Sequence, residues 1–113
     1  MEGKVNLVVE KPRQIVIRNP YGVPMLAEFL DYVEIGGVRF ALIKNGECFT
    51  VTELSTGTNI GESTKNTDIA VARAKLKFEE KGIAEFEKAV RETLQTFGNL
   101  PSIEDVKRKR KAK

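Results

Sequence analysis

The sequence contains no histidine and no tryptophan, and Cys48 is its only cysteine. These absences exclude histidine-dependent catalytic triads, zinc sites built from cysteine and histidine, and an internal disulfide framework. No apolar run approaches the roughly 20 residues that a membrane-spanning helix needs. The N-terminal residues lack the apolar stretch and the cleavage site of a signal peptide. Because a single cysteine also suits a reducing compartment, we expect a cytoplasmic protein.

Charge is unevenly distributed along the 113 residues, which carry a net charge of +3. Residues 107–113 (KRKRKAK) hold six basic and no acidic residues, so the rest of the chain, with 13 basic and 16 acidic residues, is net negative. We expect one domain over residues 1–100 and a basic C-terminal tail over residues 101–113. The basic run is interpreted as an open solvated chain, a phosphate-binding arm or a nuclear-import signal.

Short β-branched runs predict two strands near the N-terminus, over residues 5–9 and 14–18. Proline and glycine in residues 19–22 (NPYG) then predict a turn. Residues 24–29 have apolar spacing that fits either a helix or a strand, and that choice stays open. For residues 30–35 we favour a strand, because it leads into a hairpin signal.

The middle of the chain has two hairpin signals, Gly36-Gly37 and Asn45-Gly46. Each signal lies between runs of alternating apolar and polar residues. The predicted elements from here onward are strands over 38–44 and 48–54, a turn over 55–57 and a short strand over 58–62. Together with residues 30–35 they predict an antiparallel meander over residues 30–62, with one buried face.

Two amphipathic helices are predicted after the meander. The first begins after Asn66 or Thr67 and runs to about Lys81, where Gly82 breaks or kinks it. The second covers about 83–97 and stops at Gly98. The first helix has two apolar sides, one with Ile69, Ala72 and Leu76 and the other with Ala70, Val71, Ala74 and Phe78. We expect both sides to be covered, and an α+β fold in which two C-terminal helices pack against an antiparallel sheet.

Catalytic chemistry has little support in the sequence. Residues 57–64 resemble a phosphate-binding loop only in part, because Glu62 stands where that motif requires lysine. Cys48 follows Glu47, which disfavours a thiolate. The carboxylates are scattered, and no Ser-x-x-Lys pattern is present. We therefore expect no enzyme, no cofactor and no metal site.

Basic residues supply the candidate contact sites for a partner or a nucleic acid. They are Lys65, Arg73, Lys77, Lys107, Arg108, Lys109, Arg110 and Lys111. Arg73 and Lys77 are four residues apart and share one side of the first helix, where they suit phosphate contacts. Basic side chains that merely flank a buried stripe have the same pattern.

Residues 49–57 (FTVTELSTG) and 60–65 (IGESTK), followed by an alanine-rich helix, resemble the end of a double-stranded-RNA-binding domain. The resemblance implies a first helix over residues 24–33 and a phosphate contact at Lys65. Asn66 and Thr67 stand where that family has further basic residues. The alternative function is therefore a nucleic-acid-binding module that uses the basic helix face and the tail.

Residues 30–82 are also similar in style to small accessory proteins of bacteriophages and mobile elements. The similarity is carried by the meander, by a Thr-Val-Thr-x-x-x-Thr-Gly hairpin at residues 50–57 and by a lysine-rich helix. Some proteins of that type inhibit host defences, including CRISPR nucleases. The resemblance implies a non-catalytic role in contact with a larger host protein or nucleoprotein, and the sequence also allows a homodimer.

Overall fold

The computed structural model describes residues 13–111, with side chains as far as Arg108. The strands are β1 (Gln14–Arg18), β2 (Pro24–Ile35), β3 (Val38–Asn45), β4 (Cys48–Glu53) and β5 (Asn59–Thr64). Two helices follow, α1 (Thr67–Phe97) and α2 (Ile103–Lys111). Each strand pairs antiparallel with the next, in the order β1-β2-β3-β4-β5. The predicted α+β meander is confirmed, whereas the strand predicted at residues 5–9 lies outside the described residues.

β2 is a strand over its whole length, including the segment that the sequence left open. It pairs with β1 along its first half, where Glu28 lies opposite Gln14, and with β3 along its second half. A bulge between Phe29 and Asp31 leaves Leu30 without a partner in the register, which allows this long strand to bend. The helix that the RNA-binding resemblance implies for residues 24–33 is therefore wrong, because strand pairing overrides the helical spacing of the apolar residues.

The turns lie where the sequence predicts them, with small shifts. Gly36 and Gly37 both have positive φ, at 58° and 82°, as a two-residue hairpin turn requires. The second hairpin uses Gly46 and Glu47 as its loop, because Asn45 still pairs with Cys48. Gly36 also lies directly against the ring of Phe78, so close that a Cβ atom there would overlap the ring.

Both faces of the sheet are buried, although the alternating pattern predicts one buried face. One cluster contains Phe40 and Val51 from the sheet together with Phe78 and Phe86 from α1. The Phe40 and Phe86 rings lie 5.4 Å apart, and the Phe78 and Phe86 rings 5.2 Å apart, between centroids. A second cluster occupies the opposite face and consists of Ile17, Ala27, Phe29, Ala41 and Ile43.

The sheet curls back on itself at one end. The backbone N–H of Arg18 donates to the carbonyl of Gly57 at 2.8 Å, so the end of β1 meets the turn between β4 and β5. This contact joins β1 to the turn after β4, a strand three places further along in the sheet order. It encloses part of the second cluster, including Ile17, which is almost fully buried.

Helix α1 consists of two helical segments, as the sequence predicts. Gly82 has φ 82° and ψ 159°, which are non-helical and mark a kink between the segments. The predicted cap is also confirmed, since the Asn66 side chain accepts a hydrogen bond from the backbone N–H of Ile69 at 3.0 Å. Gly98 ends the helix and donates its N–H to the carbonyl of Leu94.

Helix α2 lies over β1 and β2, and its Val106 is buried. One interpretation of residues 107–113 is an open chain, but the structure continues α2 to Lys111. Ile103 and Val106 anchor this segment to the sheet, which the run of basic residues does not predict. Within residues 13–111 no helix has the length and apolarity to span a membrane.

A pair of glycine variants tests the contact between the hairpin and α1. Gly36→Ala adds both the strain of a positive φ and an overlap with Phe78, so we expect it to lower the free energy of unfolding by about 3 kcal/mol. Gly37→Ala adds only the strain, because no atom lies within 4 Å of the position that its Cβ would take, and we expect a loss of about 1 kcal/mol. Urea unfolding of both variants measures the difference, and equal losses would contradict the contact.

Candidate interaction surfaces

Arg18 lies at the end of β1 and is only 5% exposed. Its Nε donates to the carbonyl of Thr56 at 3.2 Å, and its Nη1 donates to the carbonyl of Gly22 at 3.0 Å. Its Nη2 donates to the carbonyls of Gly98 at 3.0 Å and Asn99 at 3.2 Å. One guanidinium therefore joins β1, the β1–β2 turn, the β4–β5 turn and the segment that leaves α1.

The β4–β5 turn is fixed from within by the carboxylate of Glu53. This carboxylate accepts hydrogen bonds from the backbone N–H groups of Ser55 and Thr56, at 2.9 and 2.8 Å. It also accepts from the hydroxyls of the same two residues, at 2.8 and 2.6 Å. The fully buried Thr56 is thereby held in place, with its carbonyl presented to Arg18.

The β1–β2 turn is equally well defined. The Asn19 side chain accepts from the backbone N–H groups of Tyr21 at 2.9 Å and Val23 at 3.0 Å. Its backbone N–H donates to the carbonyl of Val23, and its carbonyl accepts from the N–H of Gly22. The turn holds the Tyr21 side chain in solvent, where it is 86% exposed, and Val23 is more than half exposed.

Phe97, the last residue of α1, completes an apolar surface beside this turn. Its ring lies against Gly22, where a Cβ atom would overlap it. The Arg18 guanidinium lies over the same ring, 5.3 Å from the centroid. Phe97 is nearly half exposed. We call the side chains of Tyr21, Val23 and Phe97 the turn patch.

A second apolar surface runs along the outside of α1. Ala70, Ala74 and Phe78 face the sheet and are buried, as predicted for one of the two apolar sides of this helix. The other side is exposed: Ile69 is 46% and Leu76 is 58% exposed. The prediction that a further element covers this side is wrong for the described residues. We call Ile69, Ala72 and Leu76 the outer stripe.

The basic residues predicted on α1 lie beside the outer stripe. Lys65 is exposed, one residue before the helix cap, and Lys77 is exposed one turn after Arg73. Arg73 is engaged with Glu62, since its Nη1 lies 2.6 Å from Oε1 of that carboxylate. The pair is exposed and therefore contributes little stability. It does place an acidic group among the three predicted phosphate contacts.

The basic residues of α2 form a separate group. Lys107 and Arg108 are exposed, and Arg108 pairs with Asp105 at 3.1 Å within the helix. Lys109, Arg110 and Lys111 belong to the helix, but their side chains lie outside the described part. Helix α1 contacts mainly β4 and β5, whereas α2 contacts β1 and β2. The two basic groups therefore lie on helices that pack against different ends of the strand order.

A wide, open pocket of about 570 Å³ is lined by Arg13, Gln14, Glu28 and Phe29. A smaller cavity of about 90 Å³ lies between the second segment of α1 and the β4–β5 hairpin, lined in part by Glu53, Lys81 and Thr93. That volume holds a few water molecules, whereas sites for small organic ligands usually measure roughly 300–1,000 Å³. Among the described residues, no three or more His, Cys, Asp or Glu side chains are grouped as metal ligands would be.

Sequence reasoning missed Arg18, Glu53 and the turn patch. A usable signal for Arg18 was present, because strand alternation places it on the same face as Val16, which is buried. The Glu53 carboxylate turns into its own loop, and Glu62 reaches α1. Local turn geometry of this kind has no distinct periodicity.

Replacement of Arg18 tests its role as the link between four segments. Arg18→Met removes the donors to four carbonyls, of which that of Thr56 is buried, and we expect the free energy of unfolding to fall by about 3 kcal/mol. Arg18→Lys keeps the charge but cannot reach all four carbonyls, so we expect only partial recovery. Arg39→Met serves as the control, because Arg39 is exposed over the Tyr32 ring, and its loss should stay below about 1 kcal/mol. Unfolding in guanidinium chloride measures these losses of free energy. Equal losses for Arg18→Met and Arg39→Met would contradict the role of Arg18 as the link between four segments.

Comparison with known proteins gives no family for this chain. No protein-family model matches it, and no curated protein or solved structure is significantly similar to it. Function is therefore inferred from the two apolar surfaces, the basic groups and the contacts that hold them.

Proposed function

We propose that this chain is a non-enzymatic binding protein that acts by contact with a larger protein, and that the turn patch is its contact surface. The observation that carries the proposal is the exposure of Tyr21 on a turn whose backbone is fixed by Asn19 and by Arg18. Tyrosine is among the residues most enriched at the energetic centres of protein interfaces. Its ring supplies a large apolar area, and its hydroxyl supplies a polar contact.

Rigidity makes the turn patch suitable for binding. A loop that must be ordered on association loses conformational entropy, and that loss weakens the complex. Here the turn is held by bonds to the Asn19 side chain and to the Arg18 guanidinium. The Phe97 ring packs against Gly22, and the Arg18 guanidinium lies over the same ring. The three apolar side chains thus need little rearrangement to meet a complementary surface.

The class of partner follows from the resemblance of residues 30–82 to phage accessory proteins. A small protein with a rigid apolar surface can inhibit a larger one by occupying a functional surface, without chemistry of its own. We propose a larger host protein of the cytoplasm as the partner, and a defence nuclease such as a CRISPR effector as the first class to assay.

Tyr21→Ser tests the contact surface. The variant removes the ring but leaves the backbone bonds of the turn, so we expect stability to change by less than about 0.5 kcal/mol. We expect binding to weaken by about 2 kcal/mol, or roughly thirtyfold in Kd. The immobilised protein is used to capture a partner from host-cell lysate, and calorimetry with the purified partner then gives the Kd.

Leu76→Ser is the matched control, because it removes an exposed apolar side chain from the other surface. We expect it to leave the Kd for the partner within about twofold of the wild type. A captured partner that binds the Tyr21→Ser variant as tightly as the wild type would contradict the assignment of the turn patch. Failure of the wild-type protein to retain any partner would count against the proposed function itself.

A second candidate function, nucleic-acid binding, is favoured by α2. Because Val106 anchors this helix on the sheet, Lys107 and Arg108 are presented on a fixed helix rather than on an open chain. Positive side chains in a fixed array suit contacts to a phosphate backbone. The opposing observation is the Arg73–Glu62 pair, which places a carboxylate among the basic residues of α1.

The salt dependence of binding tests this second candidate. If α2 contacts phosphates of a 20-base-pair RNA duplex, the double variant Lys107→Gln, Arg108→Gln should reduce the slope of log K against log salt by about 2. The variant Lys65→Gln, Lys77→Gln provides the comparison for the α1 group. Anisotropy of the labelled duplex measures both, and a slope that neither variant changes would contradict specific contacts by these residues.

A further inference from the structure

We propose that the outer edge of β1 binds residues 5–9 of this same chain as a further antiparallel strand. The inference is independent of the proposed function, because it concerns the edge of the sheet and not the turn patch. It begins from the position of β1, which pairs with β2 on one side and with no described strand along its other side. Native proteins pair or cover most strand edges, because an open edge otherwise associates with other chains.

The hydrogen bonds of β1 identify the backbone groups at this edge. The carbonyl of Arg13 accepts from the backbone N–H of Phe29 at 2.9 Å, so Arg13 directs its backbone groups to β2. This direction alternates from residue to residue along an antiparallel strand. Gln14 and Val16 therefore direct their N–H and carbonyl groups away from β2. Within the described residues, no hydrogen bond is formed to these outward groups.

The end of β1 follows the same alternation and limits the length of the free edge. The N–H of Arg18 points away from β2 and donates to the carbonyl of Gly57 at 2.8 Å. Because the β4–β5 turn thus occupies the edge at Arg18, the free edge covers residues 14–17. These four residues extend over about 13 Å, which accommodates a partner strand of four or five residues.

The chain itself supplies a strand of this length. Residues 5–9 (VNLVV) are rich in β-branched side chains and lie outside the described residues, a few positions before β1. So short a connection allows only an antiparallel return, since a parallel crossover needs a dozen or more residues. A loop over residues 9–13, which is a common hairpin length, places Val8 opposite Gln14.

Alternation of apolar and polar residues selects this register. The pairs that follow from it are Val8–Gln14, Leu7–Ile15, Asn6–Val16 and Val5–Ile17. Opposite residues of an antiparallel pair share a face, so Val5 and Leu7 lie on the apolar face formed by the second cluster, to which Ile17 belongs. Asn6 lies on the other face. A shift by one residue would place Asn6 on the apolar face and remove Leu7 from it.

The start of β1 has apolar surface that such a strand would cover. Ile15 is only half-buried, whereas Ile17 on the same face is 2% exposed. The same end of the strand borders the open pocket lined by Arg13, Gln14, Glu28 and Phe29. With Leu7 opposite Ile15, the remaining exposed part of the Ile15 side chain is removed from water.

Amide hydrogen exchange, followed by NMR on the full chain, tests the proposal. We expect the outward N–H groups of Gln14 and Val16 to exchange at least about a hundredfold more slowly than in an unfolded chain. Val8→Pro removes a bond to Gln14 and should raise both exchange rates by roughly tenfold or more. The N–H groups of Ile15 and Ile17, which bond to β2, serve as the control in the same sample and should change by less than about threefold. Unprotected Gln14 and Val16 in the wild type would overturn the proposal, and so would protection that Val8→Pro does not lower.

Disulfide formation tests the register and the identity of the strand. In a Cys48→Ser background, we expect Leu7→Cys with Ile15→Cys to form an intramolecular disulfide under mild oxidation. The two positions form a non-hydrogen-bonded pair, whose Cα separation of about 4.5 Å suits that bond. Asn6→Cys with Ile15→Cys is the matched control and should remain reduced, because the two side chains lie on opposite faces.

Mass spectrometry and non-reducing electrophoresis distinguish the outcomes. A disulfide that joins two chains would assign the edge to a second copy, and a disulfide in the Asn6 variant alone would assign the shifted register. Either result would overturn the proposal. Tyr21→Ser should leave both the exchange rates and the disulfide unchanged, even if it abolishes partner binding. Thermal unfolding of each variant verifies that the fold is retained.

Discussion

The structure depends on a buried cation that is held by neutral oxygens. Arg18 donates to four backbone carbonyls, and none of the described carboxylates forms an ion pair with it. Burial of an unpaired charge costs several kcal/mol unless hydrogen bonds replace the lost water. The carbonyls of Thr56, Gly22, Gly98 and Asn99 replace that water only if their segments converge on the end of β1. The chain is therefore constrained to bring these four points together.

This convergence explains how two turns and the end of α1 meet around Arg18. The Glu53 carboxylate fixes the β4–β5 turn, which supplies the Thr56 carbonyl to Arg18. Gly98 ends α1 directly beside the β1–β2 turn, which brings Phe97 onto Gly22. The exposed aromatic surface is thus a consequence of the same bonds that stabilise the fold. The outer stripe has a different origin, because Ala70, Ala74 and Phe78 on the inner side of α1 pack against the sheet and leave Ile69 and Leu76 outside.

Much of the fold follows from local sequence patterns. Gly36-Gly37 and Asn45-Gly46 located the hairpins. Gly82 and Gly98 divided and ended the helices, and Asn66 marked the first cap, because each of these signals has a short-range physical cause. Residues 24–29 remained ambiguous, since their strand form depends on pairing with β1 and β3. The burial of Arg18 and Glu53 also depends on distant segments: Arg18 meets Asn99, which is 81 residues away. The outer stripe could not be located, because its exposure is decided by which of two helix sides the sheet covers. The turn patch could not be located, because it depends on the contact between Phe97 and the distant Gly22.

Solvent exchange of the Arg18 Nε–H, observed by NMR at neutral pH, tests the central claim most directly. A guanidinium that is bonded to Thr56 and buried among four segments should exchange this proton much more slowly than the exposed Arg39. We expect a sharp, protected Arg18 resonance together with a rapidly exchanging one from Arg39. Equal exchange rates for the two arginines would show that Arg18 is open to solvent and would contradict its role as the buried link.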